Sequence, residues 1–288
     1  MLAHTIYGVD FSGATRAGDS IFLARGHVLD TSDEEILHIE SCTPAPTLLN
    51  TTADRDAVLS GLVNFIATHP ISDTEPVAFG CDFPFSLPMM HIKAADGVTD
   101  WRSFLQWFPG DTMDPSTFAS WAGDVAASAD TTERTYIQRS TDSRVDALSP
   151  YHFFIQSQTF YGIRDVLAPL VTNNSVRVRP MQSATTDVPW VVEAYPAATL
   201  ERLELPGEGY KSETSDARSR RQTIIEAIAT RDDVTITTDA KTNALRDHDG
   251  DALDAIVAAV ATFHAARDGI TIPSSADDTW QYEGWIVS

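Results

Sequence analysis

The first third of the chain has short runs of apolar residues that are typical of β-strands. Residues 5–10 form the first run, and 19–26 and 34–41 form two more, with turn-forming residues between them. This spacing predicts that the first three strands form an antiparallel meander. Residues 76–82 are continuously apolar up to a final aspartate, which suits a central parallel strand buried on both faces.

Helical spacing follows the meander. Within residues 53–67, apolar side chains recur three and four positions apart, which predicts an amphipathic helix. Later segments give further helices and two further strands. The predicted helices are 151–170, 197–204, 213–231 and 250–267, and the predicted strands are 176–179 and 188–193.

The periodic pattern is interrupted after the fourth predicted strand. Residues 83–150 are rich in Pro, Trp, Asp, Ser and Thr and show only weak helical patches. We interpret them as a long insertion within a single domain of residues 1–288, forming a lid over one edge of the sheet. Trp101, Trp107 and Trp121 lie in this segment. We expect them to pack within the lid, and stacking on nucleic-acid bases is the alternative.

Three of the predicted strands end on an acidic residue. Asp10 ends YGVD, Asp82 ends AFGCD and Glu193 ends WVVE. Any one of them is explained by a turn or a helix cap, and a phosphate-binding loop is a further reading of Asp10 in DFSGA. Three acids on strands expected to be central favour a shared site, because open α/β sheets bind ligands at the carboxyl ends of their strands.

The last predicted helix supplies two more carboxylates. Asp251 and Asp254 are three residues apart in GDALDAIVAAVA and therefore share one helical face. The stripe from Asp254 continues through alanines, at 258, 261 and 265, so we expect this face to pack closely on the sheet. The helix dipole explains an acid at the position of Asp251, but it does not explain Asp254 inside the apolar stripe.

Converging carboxylates repel one another unless cations neutralise them. Ligands that are all oxygen favour Mg²⁺ or Mn²⁺. Two such ions about 4 Å apart can hold the attacking and leaving oxygens of a phosphodiester hydrolysis. The carboxylate pattern therefore predicts a metal-dependent hydrolase with two ions.

The charge of the chain changes the expected setting. The formal net charge is -21, and only Lys93, Lys211 and Lys241 are lysines. The acids are spread through segments with folded patterns, which indicates a high-salt, halophile-like protein rather than a disordered one. In molar salt counterion release contributes little, so the negative charge does not exclude a nucleic-acid partner.

Compartment signals point to the cytoplasm. Cys42 and Cys81 belong to no metal-binding motif, so we expect two buried free thiols in a reducing compartment. No apolar run approaches the roughly 20 residues that a membrane span needs. The strand pattern begins almost at Met1, with no signal-peptide pattern before it. The sequence gives no indication of oligomeric state.

The order of these motifs resembles the RNase H-like nuclease superfamily. The last helix, DALDAIVAA, resembles that of RuvC-type resolvases, in which DxxDA carries two metal ligands. More narrowly, the chain resembles the domain-of-unknown-function 429 family, a family of predicted RNase H-fold nucleases. The matching stretches are GVDFSGA, CDFPFSLP, RSTD, SQTFYGIRDVLAPL, VVEAYPAATL, GDALDAIVAAVA and YEGWIV.

This resemblance implies an RNase H-like mixed five-stranded sheet flanked by helices, with the long insertion after strand 4. It also implies metal-ligand roles for Asp10, Asp82, Asp251 and Asp254. Glu193 is an additional catalytic candidate, although the superfamily's acid set does not require it. RuvC-like enzymes carry Glu at the position of Asp82.

Other polar residues are candidates for contacts to the substrate. Arg139 and the group Arg218, Arg220 and Arg221 could contact phosphates, and Gln158 could face the site from the helix of 151–170. The alternative for the arginines is pairing with carboxylates of this acidic chain. His248, beside the DxxD pair, is expected to make a structural hydrogen bond, with proton transfer or metal contact as the alternative.

Three functions follow from these residues. The leading one is a two-metal nuclease acting on DNA or RNA. An actin-like or sugar-kinase-like ATPase is the second, because its first phosphate loop is similar to DFSGA. Such an enzyme would also have a second Asp-x-Gly-Gly loop and an adenosine-binding Gly-Gly pair. The chain contains neither. The third is an inactive RNase H-like scaffold that binds nucleic acid or protein.

Overall fold

A computed structural model describes residues 3–30, 34–71, 76–108, 113–129, 135–274 and 276–288. These residues form one mixed sheet whose strand order is β5-β6-β4-β1-β2-β3-β7, with β8 paired to β6. The strands are β1 (Thr5–Asp10), β2 (Phe22–Asp30), β3 (Glu35–Pro44), β4 (Val77–Cys81), β5 (Arg177–Arg179), β6 (Trp190–Ala194), β7 (Val234–Ile236) and β8 (Ile286–Val287).

Helices connect and cover these strands. A 3₁₀ turn forms at Ala17–Asp19, and a π-helical turn at Gly162–Leu167 joins α7 to α8. The α-helices are α1 (Ala45–Leu49), α2 (Arg55–Ala67), α3 (Met89–Ala94), α4 (Trp101–Trp107), α5 (Pro115–Ser128), α6 (Ser140–Arg144), α7 (Gln156–Tyr161), α8 (Ala168–Thr172), α9 (Pro196–Arg202), α10 (Ser215–Ala229), α11 (Thr238–Arg246), α12 (Asp251–Asp268) and α13 (Trp280–Glu283).

The direction of the strands confirms the predicted meander. β1 pairs with β2 and β2 with β3, both antiparallel. β1, β4 and β6 run parallel to one another. The prediction of a mixed sheet flanked by helices is therefore confirmed, but the described residues contain eight strands and not five. β5 lies within the strand predicted at 176–179. β7 and β8 were not predicted, because three and two residues are too few to show a clear periodicity.

Alternation along the central strands places the core on both faces of the sheet. Tyr7 and Val9 of β1 face a cluster that includes α2, α4, α5, α7 and α8. Ile6 faces a second cluster that contains α10, α11 and α12. The sheet is thus the middle layer of three, as the continuous burial of β4 and β6 requires.

Helix α12 lies directly against the centre of the sheet. A Cβ placed on Gly8 would overlap the backbone of Ala255 and Ala259, and one on the facing Gly80 would overlap the side chain of Thr262. Glycine at these strand positions therefore permits the close approach of the helix. The predicted small-residue face is confirmed at Ala258, which contacts both glycines in this way.

Predicted and observed elements differ most in two places. The helix expected over 151–170 begins only at Gln156, because 150–155 form turns. It then continues through the π-helical turn to Thr172. The second difference lies at 234–246, where β7 and α11 follow α10 and were not predicted.

The segment 83–150 contains four of the helices, α3 to α6. Its residues 109–112 and 130–134 lie outside the described residues. Trp101 and Phe104 are buried in the same cluster as β1 and β4, and Trp107 and Trp121 pack against that cluster. The described part of the segment is thus continuous with the core on that face of the sheet. Its role as a lid stays a prediction.

The cysteines and the helix lengths can be compared with the sequence predictions. Cys42 and Cys81 are buried free cysteines, as predicted. Among the described residues, no helix combines the length and the apolar character needed to cross a bilayer.

Candidate metal centre

The carboxyl ends of three parallel strands meet at one edge of the sheet. Asp10 is the last residue of β1, and Asp82 directly follows β4. The backbone N–H of Asp82 donates to the carbonyl of Val9 at 3.0 Å, which ties the two strand ends together. Glu193 lies in the same register on β6, opposite Cys81.

Helix α12 brings two more carboxylates to this edge. It begins at Asp251, and its contact with Gly8 places its first turns over the end of β1. Asp254 is only 3 % exposed. We call Asp10, Asp82, Asp251 and Asp254 the four-aspartate group.

The charges of these carboxylates affect one another's pKa values. Burial raises the pKa of Asp10 well above its usual range, and the charges of Asp254, Asp251 and Asp82 raise that pKa further. Burial raises the pKa of Asp82 to about 8, with a further contribution from Asp254. The charges of the other three aspartates therefore act on Asp10, and this mutual repulsion favours a bound cation. That all four bind metal stays a prediction.

Asp251 belongs to a second cluster as well. One carboxylate oxygen each from Asp247, Asp249 and Asp251 lies within 4.8 Å of the others, so these three residues could hold a metal ion. Burial raises the pKa of Asp251 to about 7, and Asp247 is the next cause. We call these residues the outer triad. Asp247 also accepts the backbone N–H of Ala252 at 2.8 Å, which caps α12.

A lysine contacts the four-aspartate group. Lys211 Nζ lies 2.5 Å from Asp254 Oδ2, and Tyr210 donates its hydroxyl to Asp254 Oδ1 at 2.7 Å. Burial lowers the pKa of Lys211, but Asp254 and Asp10 more than offset this, so the pKa is raised overall and the ammonium stays charged. Sequence reasoning missed both residues. The one available signal was that Lys211 is one of three lysines in the chain.

Glu193 is engaged by an arginine. Arg139 is 0 % exposed and donates to both oxygens of Glu193 at 2.8 and 2.5 Å. It also donates to both oxygens of Asp142 and to the carbonyl of Glu283. We call Arg139, Asp142 and Glu193 the Arg139 network.

The Arg139 network changes the roles expected for two predicted site residues. All the N–H groups of the Arg139 guanidinium have protein acceptors, so none is left for a phosphate. Glu193 also accepts the backbone N–H of Phe85 at 3.0 Å. Arg139 thus pairs with carboxylates, which was the alternative to phosphate binding. We do not include Arg139 or Glu193 in the proposed catalytic group.

Gln158 lies beside the four-aspartate group, as expected. Its side-chain amide donates to the backbone carbonyl of Asp82. Gln158, Asp82 and Glu193 line a cavity of about 130 Å³ that also includes Leu148 and Ile155. Arg139 and Asp142 also line the cavity, and Asp82 is the member of the four-aspartate group among its lining residues.

The other predicted phosphate ligands have different positions. Arg221 is 1 % exposed and donates to the backbone carbonyls of Tyr210, Ser212 and His248 at 2.5, 3.0 and 3.3 Å. It therefore supports the loop that carries Lys211. Arg218 is exposed on α10, and no contact between its side chain and the four-aspartate group is found among the described residues. His248 is exposed and lies 3.7 Å from Glu213.

Two aromatic residues are unexpectedly exposed. Phe153 and Phe154, in the motif YHFF of the predicted helix 151–170, are 56 % and 73 % exposed. Their ring centroids are 4.0 Å apart. They lie between Leu148 and Ile155, which line the cavity. Residues 150–155 form turns and not the first turns of a helix, so these two side chains are not on a buried helical face.

We expect the free energy of unfolding of the metal-free protein to fall as the pH rises from about 5 to about 9. The pKa values of Asp10, Asp82 and Asp251 are raised in the fold, so the folded state holds protons that the unfolded chain has already released near pH 4. Stability from these protonated carboxyls is present at low pH and is lost through about pH 7 to 8. Thermal melts in EDTA and molar KCl measure the effect.

The matched protein for this experiment is the double variant Asp82→Asn, Asp251→Asn. It should melt with a much flatter pH dependence, because two of the titrating groups are gone. Equal slopes for the wild type and the double variant would contradict the raised pKa values.

Comparison with known proteins gives one match, to a family model. No curated protein and no solved structure matches the chain. One family model does match, described as a protein of unknown function (DUF429). The match contains Glu193, Lys211, Asp251 and Asp254, whereas Asp10 and Asp82 lie outside it. The resemblance to the domain-of-unknown-function 429 family is therefore confirmed, and the chain matches that family over residues 172–278.

Proposed function

We propose that this protein is a nuclease that hydrolyses phosphodiester bonds with a divalent metal held by the four-aspartate group. The observation that carries the proposal is the convergence of carboxylates from β1, β4 and α12 at one edge of the sheet. All the donors are carboxylate oxygens, and this donor set fits Mg²⁺ or Mn²⁺.

The arrangement of the strands supports an RNase H-like fold for the proposed enzyme. The order β3-β2-β1-β4-β6 has five strands with only β2 antiparallel to the others. β5, β7 and β8 add short pairings to this set at its two sides. In this proposal residues 1–288 are a single domain, and 83–150 is an insertion after the fourth strand.

The residues of the chain have separate tasks in the proposed reaction. A bound divalent ion supplies Lewis-acid activation and neutralises the charge of a phosphate. Asp10 and Asp254, which are buried, and Asp82 and Asp251, which are half-buried, would hold this cation. The amide of Gln158 fixes the backbone of Asp82. Lys211 presents an ammonium at the same edge.

The exposed phenylalanines support a nucleic-acid substrate with unpaired bases. Phe153 and Phe154 offer their rings to solvent, and the next residue, Ile155, lines the cavity together with Asp82 and Gln158. Every base has an aromatic face, so stacking on such rings is tolerant of sequence and contributes about 1–3 kcal/mol per base. Stacking also persists at high salt, where the charge of this acidic chain is screened. We propose a high-salt cytoplasm as the setting because the chain has a formal net charge of -21.

A cleavage panel tests the proposed function. The protein is incubated in molar KCl with Mn²⁺ or with EDTA. The substrates are single-stranded DNA, single-stranded RNA, duplex DNA, an RNA–DNA hybrid, a four-way junction and ATP. We expect cleavage of at least one nucleic acid with Mn²⁺ and none with EDTA, with the substrates that contain unpaired bases cleaved fastest.

The other outcomes separate the competing functions. Release of phosphate from ATP, without cleavage of nucleic acid, would replace the proposal by the ATPase function. Binding of nucleic acid without any cleavage would replace it by the scaffold function. Cleavage that continues in EDTA would contradict a metal-dependent reaction and would require a different catalytic group.

A further inference from the structure

We propose that Lys211 is a resident cation of the four-aspartate group, so that this group binds one divalent ion rather than two. The inference rests on the proposed metal site and refines the expectation of two ions. It starts from Asp254, whose two oxygens both have protein partners. Oδ2 contacts Lys211 Nζ at 2.5 Å, and Oδ1 accepts the hydroxyl of Tyr210 at 2.7 Å.

The loop that carries Lys211 is held firmly in this position. The buried guanidinium of Arg221 bonds the carbonyls of Tyr210 and Ser212, the residues on either side of Lys211. The same nitrogen bonds the carbonyl of His248, just before α12. One side chain therefore ties the lysine loop to the start of the helix that supplies Asp254.

Gly250 allows the loop that carries Lys211 to pack closely on the start of α12. Gly250, the N-cap of α12, has φ 84°, a left-handed conformation that glycine adopts without strain. A Cβ on Gly250 would lie 3.0–3.1 Å from the ring of Tyr210 and from Lys211 Cγ. The lysine loop is thus packed directly on the beginning of α12. The side chain of Lys211 is 51 % exposed and reaches Asp254 from this fixed loop.

Charge balance favours one ion beside this lysine. When all are ionised, the four aspartates and the one ammonium carry a net charge of about -3 by formal count. One divalent cation leaves this group slightly negative, whereas two would make it positive before any further carboxylate is added. A second ion would also have to displace the ammonium from Asp254 Oδ2.

The retained ammonium then has a clear task. Lysine is a compact point charge with three donors, and it is a common ligand of phosphate. One ion and Lys211 together can neutralise a phosphodiester at this edge, with the ammonium in the place of a second ion. Lys211 therefore sets the number of metal ions and contributes a contact to the phosphate.

Metal stoichiometry tests this inference without any measurement of activity. All proteins carry Asp249→Asn, which removes one ligand of the outer triad and leaves the four-aspartate group intact. Mn²⁺ binding is measured by calorimetry and by the electron paramagnetic resonance of the free ion, in molar KCl. We expect one Mn²⁺ in this background and two after Lys211→Met.

Two further variants sharpen the test. Lys93→Met removes an exposed lysine of α3 and should keep one ion. Lys211→Arg retains the positive charge and should also keep one. Two ions in the parent protein, with no change after Lys211→Met, would overturn the inference while leaving the proposed metal site intact. No Mn²⁺ binding by the parent or by Lys211→Met would overturn both.

Discussion

Asp10→Asn is expected to abolish metal-dependent cleavage and, at the same time, to raise the melting temperature of the metal-free protein. Asp10 is 7 % exposed and lies among three other carboxylates. Asparagine has nearly the same shape but no charge, so it removes both a metal ligand and a source of repulsion. We expect the cleavage rate to fall by more than about 100-fold, since losing a residue that merely orients a metal ligand costs about 10–100-fold.

Opposite changes in activity and stability are the signature of this substitution. If Asp10 only capped a turn, Asp10→Asn would leave stability and cleavage nearly unchanged, because asparagine caps as well as aspartate. Cleavage is measured with Mn²⁺ in molar KCl, and melting is measured in EDTA at about pH 8, where Asp82 is partly ionised. Mn²⁺ should stabilise the wild type much more than the variant.

Asp124→Asn is the matched control for this experiment. Asp124 is an exposed aspartate on α5, within the segment 83–150. It should change neither cleavage nor melting measurably, because surface substitutions away from special features usually have small effects. Full cleavage by Asp10→Asn would remove Asp10 from the metal site and would sink the proposed arrangement.

The four-aspartate group could be found from sequence because each member has a local signal. Asp10 and Asp82 follow apolar strands, and parallel strands place their carboxyl ends at one edge. Asp254 breaks the apolar stripe of its own helix. Gly8 provides the remaining link, since α12 crosses β1 at this glycine. Periodicity and strand direction were therefore sufficient for this part of the site.

The cationic side of the site has no comparable local signal. Lys211 lies in a loop without periodicity, and its contact with Asp254 spans 43 residues of sequence. Arg221 was predicted as a phosphate ligand because its charge was visible, but its acceptors are backbone carbonyls of two separate loops. Such contacts depend on how loops return to the sheet, which hydrophobic pattern does not encode.

The two groups of buried acids near the cavity differ in how their charge is balanced. In the Arg139 network, one guanidinium bonds both carboxylates and leaves no donor unused. In the four-aspartate group, one ammonium faces four carboxylates. By formal count the Arg139 network carries a charge of -1 and the four-aspartate group with Lys211 carries -3, so the second group has the greater need of a cation. We therefore propose a structural role for Glu193 and metal binding for Asp10.

Arg139→Met should therefore destabilise the protein strongly. Methionine fills much of the same volume but leaves Glu193 and Asp142 buried without their cation. Breaking a buried ion pair by removing one partner typically costs about 3–5 kcal/mol. We expect a loss of this size in the free energy of unfolding, measured by urea denaturation in molar KCl. Arg102→Met, which removes bonds to Asn174 and a carbonyl only, should cost much less.

A rescue experiment distinguishes this structural role from phosphate binding. Adding Glu193→Gln to Arg139→Met removes one of the two buried carboxylates left without a cation, so it should recover part of the lost stability. If Arg139 instead contacted phosphate, Arg139→Met would weaken nucleic-acid binding with little loss of stability, and Glu193→Gln would restore nothing. The buried position of Arg139, between carboxylates from two distant parts of the chain, leads us to expect the rescue.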